Sequence, residues 1–502
     1  MNPPTSPAPI SKASSGLQAR TISGVLWNFG EQLAGRGIGI AVQLLLARLL
    51  VPEDYGLVAM MAVFIAVGNS LMDSGFTQAL IRLPDAKQVD FNTAFYSNLC
   101  LGLLSYALLF VSAPLVANFY DEPRLVLLIR IASLSILIGS FQVVQLSHLA
   151  REINFRLKVW ITLPSGIVAG LLAVILAALG FGVWALVAQT IIASLLKLIL
   201  LWSFQKWRPT LSFSRNSFKT LYSFGCKLFA SSLLDTIFNN VYVIVIAKMF
   251  STPLAGLYFF ADRLQRLVIQ QLFMSITTVT YPALAMVQDD NQRLKMAYRK
   301  ILLTTSFVVF PVLMLMAALA EPLFEFLLEE KWLPAAPMLR LMCVAALFYP
   351  LSSLNLNILK VKGRSDLFLG LEIIKKILIS VVLLVSVRYG ITGILYGRIF
   401  TACLAFAPNS YYSIELLGYS LREQIRDVFP SLCLSLVIGI VSYQISIHVD
   451  WHSLSKLILL GVLSTTAYLS LAKLFRFEAL SIVTGIFFNR IQLLRRPKTT
   501  PC

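Results

Sequence analysis

Charged residues are scarce in this sequence, because Asp, Glu, Lys and Arg together make up only 13% of its 502 residues. An ordinary soluble domain carries roughly 25% charged residues. With 58% hydrophobic residues, the chain cannot build a water-facing surface of ordinary composition, which excludes a typical soluble protein. Apolar runs of roughly 20 residues recur along nearly the whole chain, and each is long enough to cross a bilayer as an α-helix.

Motifs for nucleotide hydrolysis, metal binding and disulfide bonding are also absent from the sequence. No G-x-x-x-x-G-K-[ST] phosphate loop occurs, so the chain is not expected to hydrolyse ATP. The cysteines have neither ligand nor disulfide spacing; they are Cys100, Cys226, Cys343, Cys403, Cys433 and Cys502. His448 and His452 stand four residues apart with no third ligand evident. We therefore predict no metal site and no cofactor.

A surplus of basic residues accompanies this scarcity of charge. The 42 Lys and Arg residues outnumber the 24 Asp and Glu residues and give a formal net charge of +18. They lie in short loops between the apolar runs and at a few positions within them. Because no contiguous basic face or aromatic-lined groove is present, we expect the lipid bilayer, and not nucleic acid, to be the partner of this surface.

The apolar runs predict an all-α integral membrane protein with about 14 transmembrane helices. Each run is long enough for a tilted span. The predicted spans are residues 22–50, 57–81, 93–117, 125–148, 160–180, 183–204, 221–249, 255–281, 300–320, 338–359, 367–387, 391–412, 428–447 and 455–473.

Basic residues alternate between the loops and predict the orientation of the chain. One set of loops carries clusters such as Arg151 and Arg156, whereas the other set carries acidic residues such as Asp121. Short basic loops remain on the cytoplasmic side, so we predict a multi-pass protein of the bacterial inner membrane with both termini in the cytoplasm. Residues 1–20 are predicted to be a disordered cytoplasmic tail, and residues 476–502 a basic cytoplasmic tail.

Two junctions between spans resemble each other and indicate an internal repeat. Residues 47–57 read ARLLVPEDYGL and residues 247–257 read AKMFSTPLAGL, so that Ala, a basic residue, Gly and Leu recur in register. A duplicated unit of six helices leaves this trace, although chance similarity between two apolar turns is the simpler alternative. We predict an N-lobe over residues 21–205, a C-lobe over residues 206–415, and two added helices over residues 416–475.

Charged side chains occur at helical spacing within four of the predicted spans. A charge near the bilayer centre costs about 3 kcal/mol, so each one needs a partner, a wet cavity or a function. The basic ones are Arg36, Lys227, Arg263 and Arg266, and the acidic ones are Glu31, Asp73, Asp235 and Asp262. A cavity lined by basic residues attracts phosphate or a sugar carboxylate.

The acidic residues of this set have two interpretations. Buried acids beside basic neighbours are candidates for coupling to protons or cations. Asp262 and Arg266 stand at positions i and i+4, so a local ion pair explains both without a ligand. For Arg398, in a later span, helix packing or a charged end that reaches the interface explains the charge as well as a role in transport does.

Several motifs resemble the Wzx-type polysaccharide flippases of the MOP (MATE, oligosaccharidyl-lipid and polysaccharide) superfamily, in particular the branch that includes colanic-acid exporters. The resemblance covers roughly residues 20 to 475. The motifs are residues 47–56 (ARLLVPEDYG), 73–81 (DSGFTQALI), 151–156 (REINFR), 207–209 (WRP), 256–261 (GLYFFA), 281–284 (YPAL) and 330–332 (EKW). One departure is Lys248, where the second copy of the repeat would carry Arg, so the two lobes are not expected to gate equivalently.

The resemblance implies a flippase and not an enzyme. Such a protein moves an undecaprenyl-pyrophosphate-linked oligosaccharide repeat unit to the periplasmic leaflet by alternating access, for assembly into exopolysaccharide, capsule or O-antigen. It implies a cationic cavity at Arg36, Lys227, Arg263 and Arg266, an ion gradient as energy source with the ion undetermined, and a polysaccharide polymerase and export machinery as partners.

Two alternatives remain open at this point. A cation-coupled multidrug exporter of the same superfamily is the first, but basic stripes repel a cationic substrate. A membrane glycan polymerase or ligase is the second. Such enzymes usually need a sizeable external loop, and the longest predicted external loop, roughly residues 321–337, carries no paired catalytic residues.

Overall fold

The chain folds as a series of α-helices in a computed structural model that describes residues 35, 37–83, 85–152, 154–285, 287, 290–362 and 364–485. No strand occurs in those ranges. The first ten helices are α1 (Gly37–Leu49), α2 (Pro52–Asp73), α3 (Phe76–Arg82), α4 (Gln88–Tyr120), α5 (Leu125–Ala132), α6 (Leu134–Ser140), α7 (Val143–Arg151), α8 (Phe155–Ala178), α9 (Val183–Phe204) and α10 (Arg215–Met249). The later helices are α11 (Thr252–Ala285), α12 (Asn291–Ala318), α13 (Ala320–Leu327), α14 (Ala336–Ala346), α15 (Tyr349–Val361), α16 (Ser365–Ser386), α17 (Gly390–Leu417), α18 (Leu421–His448) and α19 (Ser453–Leu474), with short 3₁₀ helices at Glu330–Ala335 and Val387–Tyr389.

Nine helices in the described part of the chain are long and apolar enough to cross a membrane. A tenth is added if Leu125–Ser140 and Val143–Arg151, which meet at a bend of 42°, form one broken span. The predicted all-α membrane protein is confirmed, whereas the count of 14 spans stays a prediction. Helix α16, for example, carries Glu372, Lys375 and Lys376 within five positions and is not among these candidate spans.

Local sequence explains where helices begin. Pro52 is the first residue of α2, a position that requires no backbone N–H. Glu53 and Asp54 follow in the first turn, where the positive end of the helix dipole favours acidic side chains. At the start of α18, Ser420 and Glu423 form a reciprocal capping box, which satisfies two backbone N–H groups that the helix leaves unpaired.

Contacts divide the chain into two compact units, residues 1–256 and 257–502. In the first unit, α2 packs on α4 and α10, and α8 packs on α9. An aromatic core that includes Phe76, Phe91, Phe95 and Trp207 joins α3, α4 and the segment after α9. The predicted lobes divide at residue 205 and not at residue 256; they describe a sequence repeat and stay a prediction.

Two glycines of the repeated junction pack backbone to backbone within the first unit. A methyl group on Gly56 would overlap the carbonyl group of Thr252, and a methyl group on Gly256 would overlap the carbonyl oxygen of Pro52. Pro52 and Thr252 are the first residues of α2 and α11, so the contact is reciprocal. In both copies of the motif, the close approach of the opposite backbone therefore leaves room only for glycine at this position.

In the second unit, α12 packs on α18, α14 packs on α17, and α18 packs on α19. After α19 the chain forms a further helix over residues 478–485. Ala479 of this helix lies in an apolar cluster with Leu303, Phe307 and Tyr468. The predicted basic tail, residues 476–502, thus begins with a packed helix. Its remaining residues, like the predicted N-terminal tail, lie outside the described ranges.

Arg299 of α12 joins three parts of the second unit. Its guanidinium group donates to both carboxylate oxygens of Asp427 on α18, at 2.8 and 3.1 Å, and to both oxygens of Glu478, at 3.0 and 2.8 Å. Tyr419, buried next to the pair, donates its hydroxyl to Asp427 at 2.5 Å. Two bidentate pairs from one arginine fix the start of the helix over residues 478–485 against α12.

Three pairs of matching positions support the internal repeat. Asn154 and Arg364 precede α8 and α16 with nearly identical backbone angles (φ −88°, ψ 63° and φ −87°, ψ 65°). Gly180 and Gly390 both have positive φ, +84° and +74°, at turns into α9 and α17. Arg130 and Arg340 both donate Nε, at 3.3 Å, to a carbonyl group of the preceding long helix, those of Phe110 and Ala317.

Candidate functional site

Helix α11 presents three polar side chains on one face inside the second unit. Tyr258, Asp262 and Arg266 are spaced by four residues, so they lie on the same side of the helix, one turn apart. Asp262 is buried, with 5% of its surface exposed. A buried carboxylate is costly unless hydrogen bonds and opposite charges compensate it.

Two arginines from different helices compensate Asp262. Arg266 Nε donates to Asp262 Oδ2 at 2.5 Å, and Nη1 of Arg398, on α17, donates to Asp262 Oδ1 at 2.7 Å. The same Nη1 donates to the Tyr258 hydroxyl at 2.8 Å. We call Tyr258, Asp262, Arg266 and Arg398 the Asp262 cluster. With one carboxylate and two guanidinium groups, it has a surplus of one positive charge.

This surplus has a consequence for ligands. Guanidinium groups offer forked donors that match carboxylate and phosphate oxygens. In an apolar environment, a charge interacts far more strongly than in water. The cluster can therefore bind an anionic group and repels a cation.

The structure brings together only part of the predicted site. Asp262 and Arg266 form the expected i, i+4 pair, whereas Arg263 is exposed. Glu31 and Arg36 lie outside the described residues, as does the side chain of Lys227. A cationic cavity that combines Arg36, Lys227, Arg263 and Arg266 stays a prediction.

Two predicted acidic residues have surroundings unlike that of Asp262. Asp73, at the end of α2, accepts hydrogen bonds from the hydroxyl and the backbone N–H of Thr77 at 2.5 and 3.4 Å, which is a role in joining α2 to α3. Asp235 is exposed on α10. A role of either residue in ion coupling stays a prediction.

Arg398 is the cluster residue that sequence reasoning missed. The sequence gives it no nearby acidic residue at helical spacing, because its partner Asp262 precedes it by 136 positions. Its place as the ninth residue of an apolar 28-residue helix was the available signal, since a charge within a span needs a partner.

A second group of ion pairs lies in the first unit, at the loop between α4 and α5. Arg124 binds Glu53 at 2.5 Å and Glu122 at 2.7 Å, and Lys248 binds Asp121 at 2.7 Å. This loop is on the predicted external side. The structure therefore gives Lys248, the residue that departs from the Arg of the first copy, a specific partner in Asp121.

Acid is expected to weaken the Glu122–Arg124 pair. The Arg124 guanidinium holds the pKa of Glu122 below its ordinary value, which is about 4.3. Because the pKa is lower in the folded state, the pair stabilises the fold above the ordinary pKa, and this contribution is lost as the pH falls through the lowered pKa. Lowering the pH from about 6 to about 3 should therefore reduce the stability of the wild type more than that of Glu122→Gln. Thermal unfolding in detergent at the two pH values measures both losses. Equal losses in the two proteins would contradict this assignment.

Comparisons with known proteins give two kinds of similarity. Residues 45–337 match the family described as polysaccharide biosynthesis protein. The chain is 25% identical over 439 residues to the lipopolysaccharide biosynthesis protein WzxC of Escherichia coli (strain K12), covering 86% of this chain and 88% of that protein. It is 27% identical over 406 residues to the succinoglycan biosynthesis transport protein ExoT of Rhizobium meliloti (strain 1021), covering 80% of each.

Solved structures share the fold. The lipid II flippase MurJ in an inward closed conformation superposes with a TM-score of 0.69 at 15% identity, covering 90% of this chain and 98% of that one. An inward-facing multidrug resistance transporter of the MATE family, from the MOP superfamily, gives a TM-score of 0.60 at 18% identity, covering 76% and 95%. At these identities the likeness concerns the fold alone.

Proposed function

Because this chain belongs to the polysaccharide biosynthesis protein family, we propose that it is a flippase that moves a lipid-linked oligosaccharide repeat unit across the bacterial cytoplasmic membrane. The resemblance to polysaccharide flippases predicted from the motifs is confirmed by this family and by relatives such as WzxC. The protein is a multi-pass membrane transporter and not an enzyme. Its orientation, with both termini in the cytoplasm, is part of the proposal and rests on the distribution of Lys and Arg.

The Asp262 cluster is the observation that carries the proposal. An undecaprenyl-pyrophosphate-linked oligosaccharide has a large polar head with a pyrophosphate, which must pass an apolar barrier while its lipid tail stays in the bilayer. A surplus positive charge on two guanidinium groups that share the buried carboxylate of Asp262, at 2.5 and 2.7 Å, compensates a phosphate charge during that passage. The same surplus disfavours a cationic drug as substrate.

The proposal also includes the energy source for transport and the protein that acts on the transported product. No phosphate loop for ATP is present in the sequence, so we propose that an ion gradient drives transport, with Glu31, Asp73 or Asp235 as candidate sites for the ion. Delivery of finished repeat units to the external leaflet requires a polymerase there, which would act next on the product.

Deletion of the gene in its own host tests the function. The proposal expects loss of surface polysaccharide and accumulation of complete lipid-linked repeat units on the cytoplasmic face. If single repeat units instead reach the external face without being polymerised, the protein acts as a polymerase. If glycans are unchanged and sensitivity to cationic drugs rises, it is an exporter of drugs.

Removing either arginine of the Asp262 cluster is expected to reduce polysaccharide export. Arg398→Gln and Arg266→Gln each delete a buried partner of Asp262, and breaking a buried pair costs about 3–5 kcal/mol. We expect export in the deletion strain to fall by about tenfold or more, with Arg398→Gln the more severe because this guanidinium group also binds Tyr258.

Arg388→Gln is the matched control for these variants. Arg388 is also an arginine of the second unit, but it is exposed in a short 3₁₀ helix between α16 and α17. Export should be measured per amount of protein in the membrane. Full export by both cluster variants at normal protein levels would contradict a role of the cluster in transport.

A further inference from the structure

We propose that Asp262 is an internal anion that competes with the substrate: its carboxylate occupies Arg266 and Arg398 when no substrate is bound, and it yields both guanidinium groups to a phosphate of the substrate. This inference rests on the proposed function and describes how the same site binds and releases its ligand. It assigns Asp262 a role that differs from ion coupling, because the carboxylate acts as a stand-in for the ligand.

The geometry of the carboxylate supports this role. Each oxygen of Asp262 serves a different arginine, Oδ2 accepting from Arg266 and Oδ1 from Arg398. A phosphate presents at least two equivalent oxygens and can accept from two guanidinium groups in the same way. The two arginines come from α11 and α17, so only a ligand that bridges them replaces every contact that Asp262 makes with them.

The two arginines differ in a way that suits exchange. About 39% of the Arg266 side chain is exposed, against 19% for Arg398 and 7% for Asp262. Arg398 also donates to the Tyr258 hydroxyl, which retains it in place when the carboxylate moves. Of the two guanidinium groups, that of Arg266 is therefore the more accessible to an anion.

Competition by an internal anion limits how tightly the cluster holds its substrate and so permits release. Two guanidinium groups without a counter-anion would hold a phosphate tightly, because Coulomb attraction is strong where water is excluded. A transported ligand must bind well enough to enter and weakly enough to leave. Exchange of one anion for another keeps both guanidinium groups paired in both states, and the cost of displacing the Asp262 carboxylate weakens substrate binding.

Binding of undecaprenyl pyrophosphate to the purified full-length protein in detergent tests the inference. Asp262→Asn removes the competing charge with little change in shape, so we expect it to bind this probe about tenfold tighter or more than the wild type. We also expect it to move substrate more slowly, because release is impeded. Asp262→Glu keeps the charge, so it should bind the probe less tightly than Asp262→Asn.

A second pair of variants tests the same inference if Asp262→Asn alone does not fold. In Arg266→Gln the remaining Arg398 keeps its ion pair with Asp262, whereas in Arg266→Gln with Asp262→Asn it has lost this carboxylate. The double variant keeps the surplus of one positive charge and should bind the probe more tightly than Arg266→Gln alone.

The outcomes separate the two proposals. Affinity that is unchanged or lower in Asp262→Asn, or in the double variant relative to Arg266→Gln, overturns the competing-anion role while wild-type binding still supports the proposed function. No binding by the wild type at all overturns both. Tighter binding combined with slower export supports both.

Discussion

Gly256→Leu is expected to abolish polysaccharide export and to lower the thermal stability of the protein. Even a methyl group at this position would overlap the carbonyl oxygen of Pro52, and at Gly56 it would overlap Thr252. The obstacle on each side is backbone at the start of a helix, so it cannot rotate away as a side chain can. Overpacking in a tight core costs about 1–3 kcal/mol for added methylenes and more where the backbone must shift.

Gly461→Leu provides the matched control for this prediction. Gly461 lies within α19 and has no atom within 4 Å of the position that a side chain would take. Both variants should be compared by residual monodisperse protein after heating in detergent and by export in the deletion strain. If Gly256→Leu resembles Gly461→Leu in both assays, the backbone contact between the two junctions is unimportant for folding and transport.

Trp332→Ala is expected to destabilise the second unit by about 3–5 kcal/mol, the usual cost of truncating a large buried aromatic side chain. Trp332 is fully buried, with 0% of its surface exposed, and its ring lies 4.7 Å from that of Phe260 on α11. Phe260 precedes Asp262 by two residues, so loss of the indole should also loosen the helix that carries the Asp262 cluster.

Trp451→Ala tests whether burial is the cause of this effect. Trp451 lies in the connection between α18 and α19 and is 43% exposed, so its truncation should change stability by less than about 1 kcal/mol. Thermal unfolding followed by size-exclusion chromatography measures both variants without depending on tryptophan fluorescence. Equal stability of the two proteins would mean that Trp332 does not anchor the fold.

Sequence reasoning identified the elements that depend on local pattern. Apolar runs predicted the helical membrane fold, and spacing predicted that Asp262 and Arg266 meet, because residues four apart face the same side of any helix. A sequence-level interpretation of residues 321–337 as an external loop did not reveal that Trp332 is buried. The burial of Trp332 involves its contact with Phe260, which lies 72 residues earlier in the chain.

Contacts between distant segments account for what sequence reasoning missed. The sequence left Arg398 open between helix packing, the membrane interface and transport, because the residue that compensates its charge lies on another helix, and periodicity carries no information about such a partner. For the same reason the sequence did not show that Lys248 binds Asp121, at 2.7 Å. Spacing within one helix predicts which side chains share a face, whereas the contacts between faces of different helices depend on the fold.

The matching positions of the two halves do not all have the same offset in residue number. Pro52 and Thr252 differ by 200 in residue number, whereas Arg130 and Arg340, Asn154 and Arg364, and Gly180 and Gly390 all differ by 210. Between Thr252 and Arg340 the second half is therefore a net ten residues longer than the corresponding stretch of the first half. That stretch holds α13 and the 3₁₀ helix Glu330–Ala335, where the first half has residues 121–124 between α4 and α5. From Arg130 and Arg340 onward the matching positions keep a constant offset, so the difference in length lies before these two arginines.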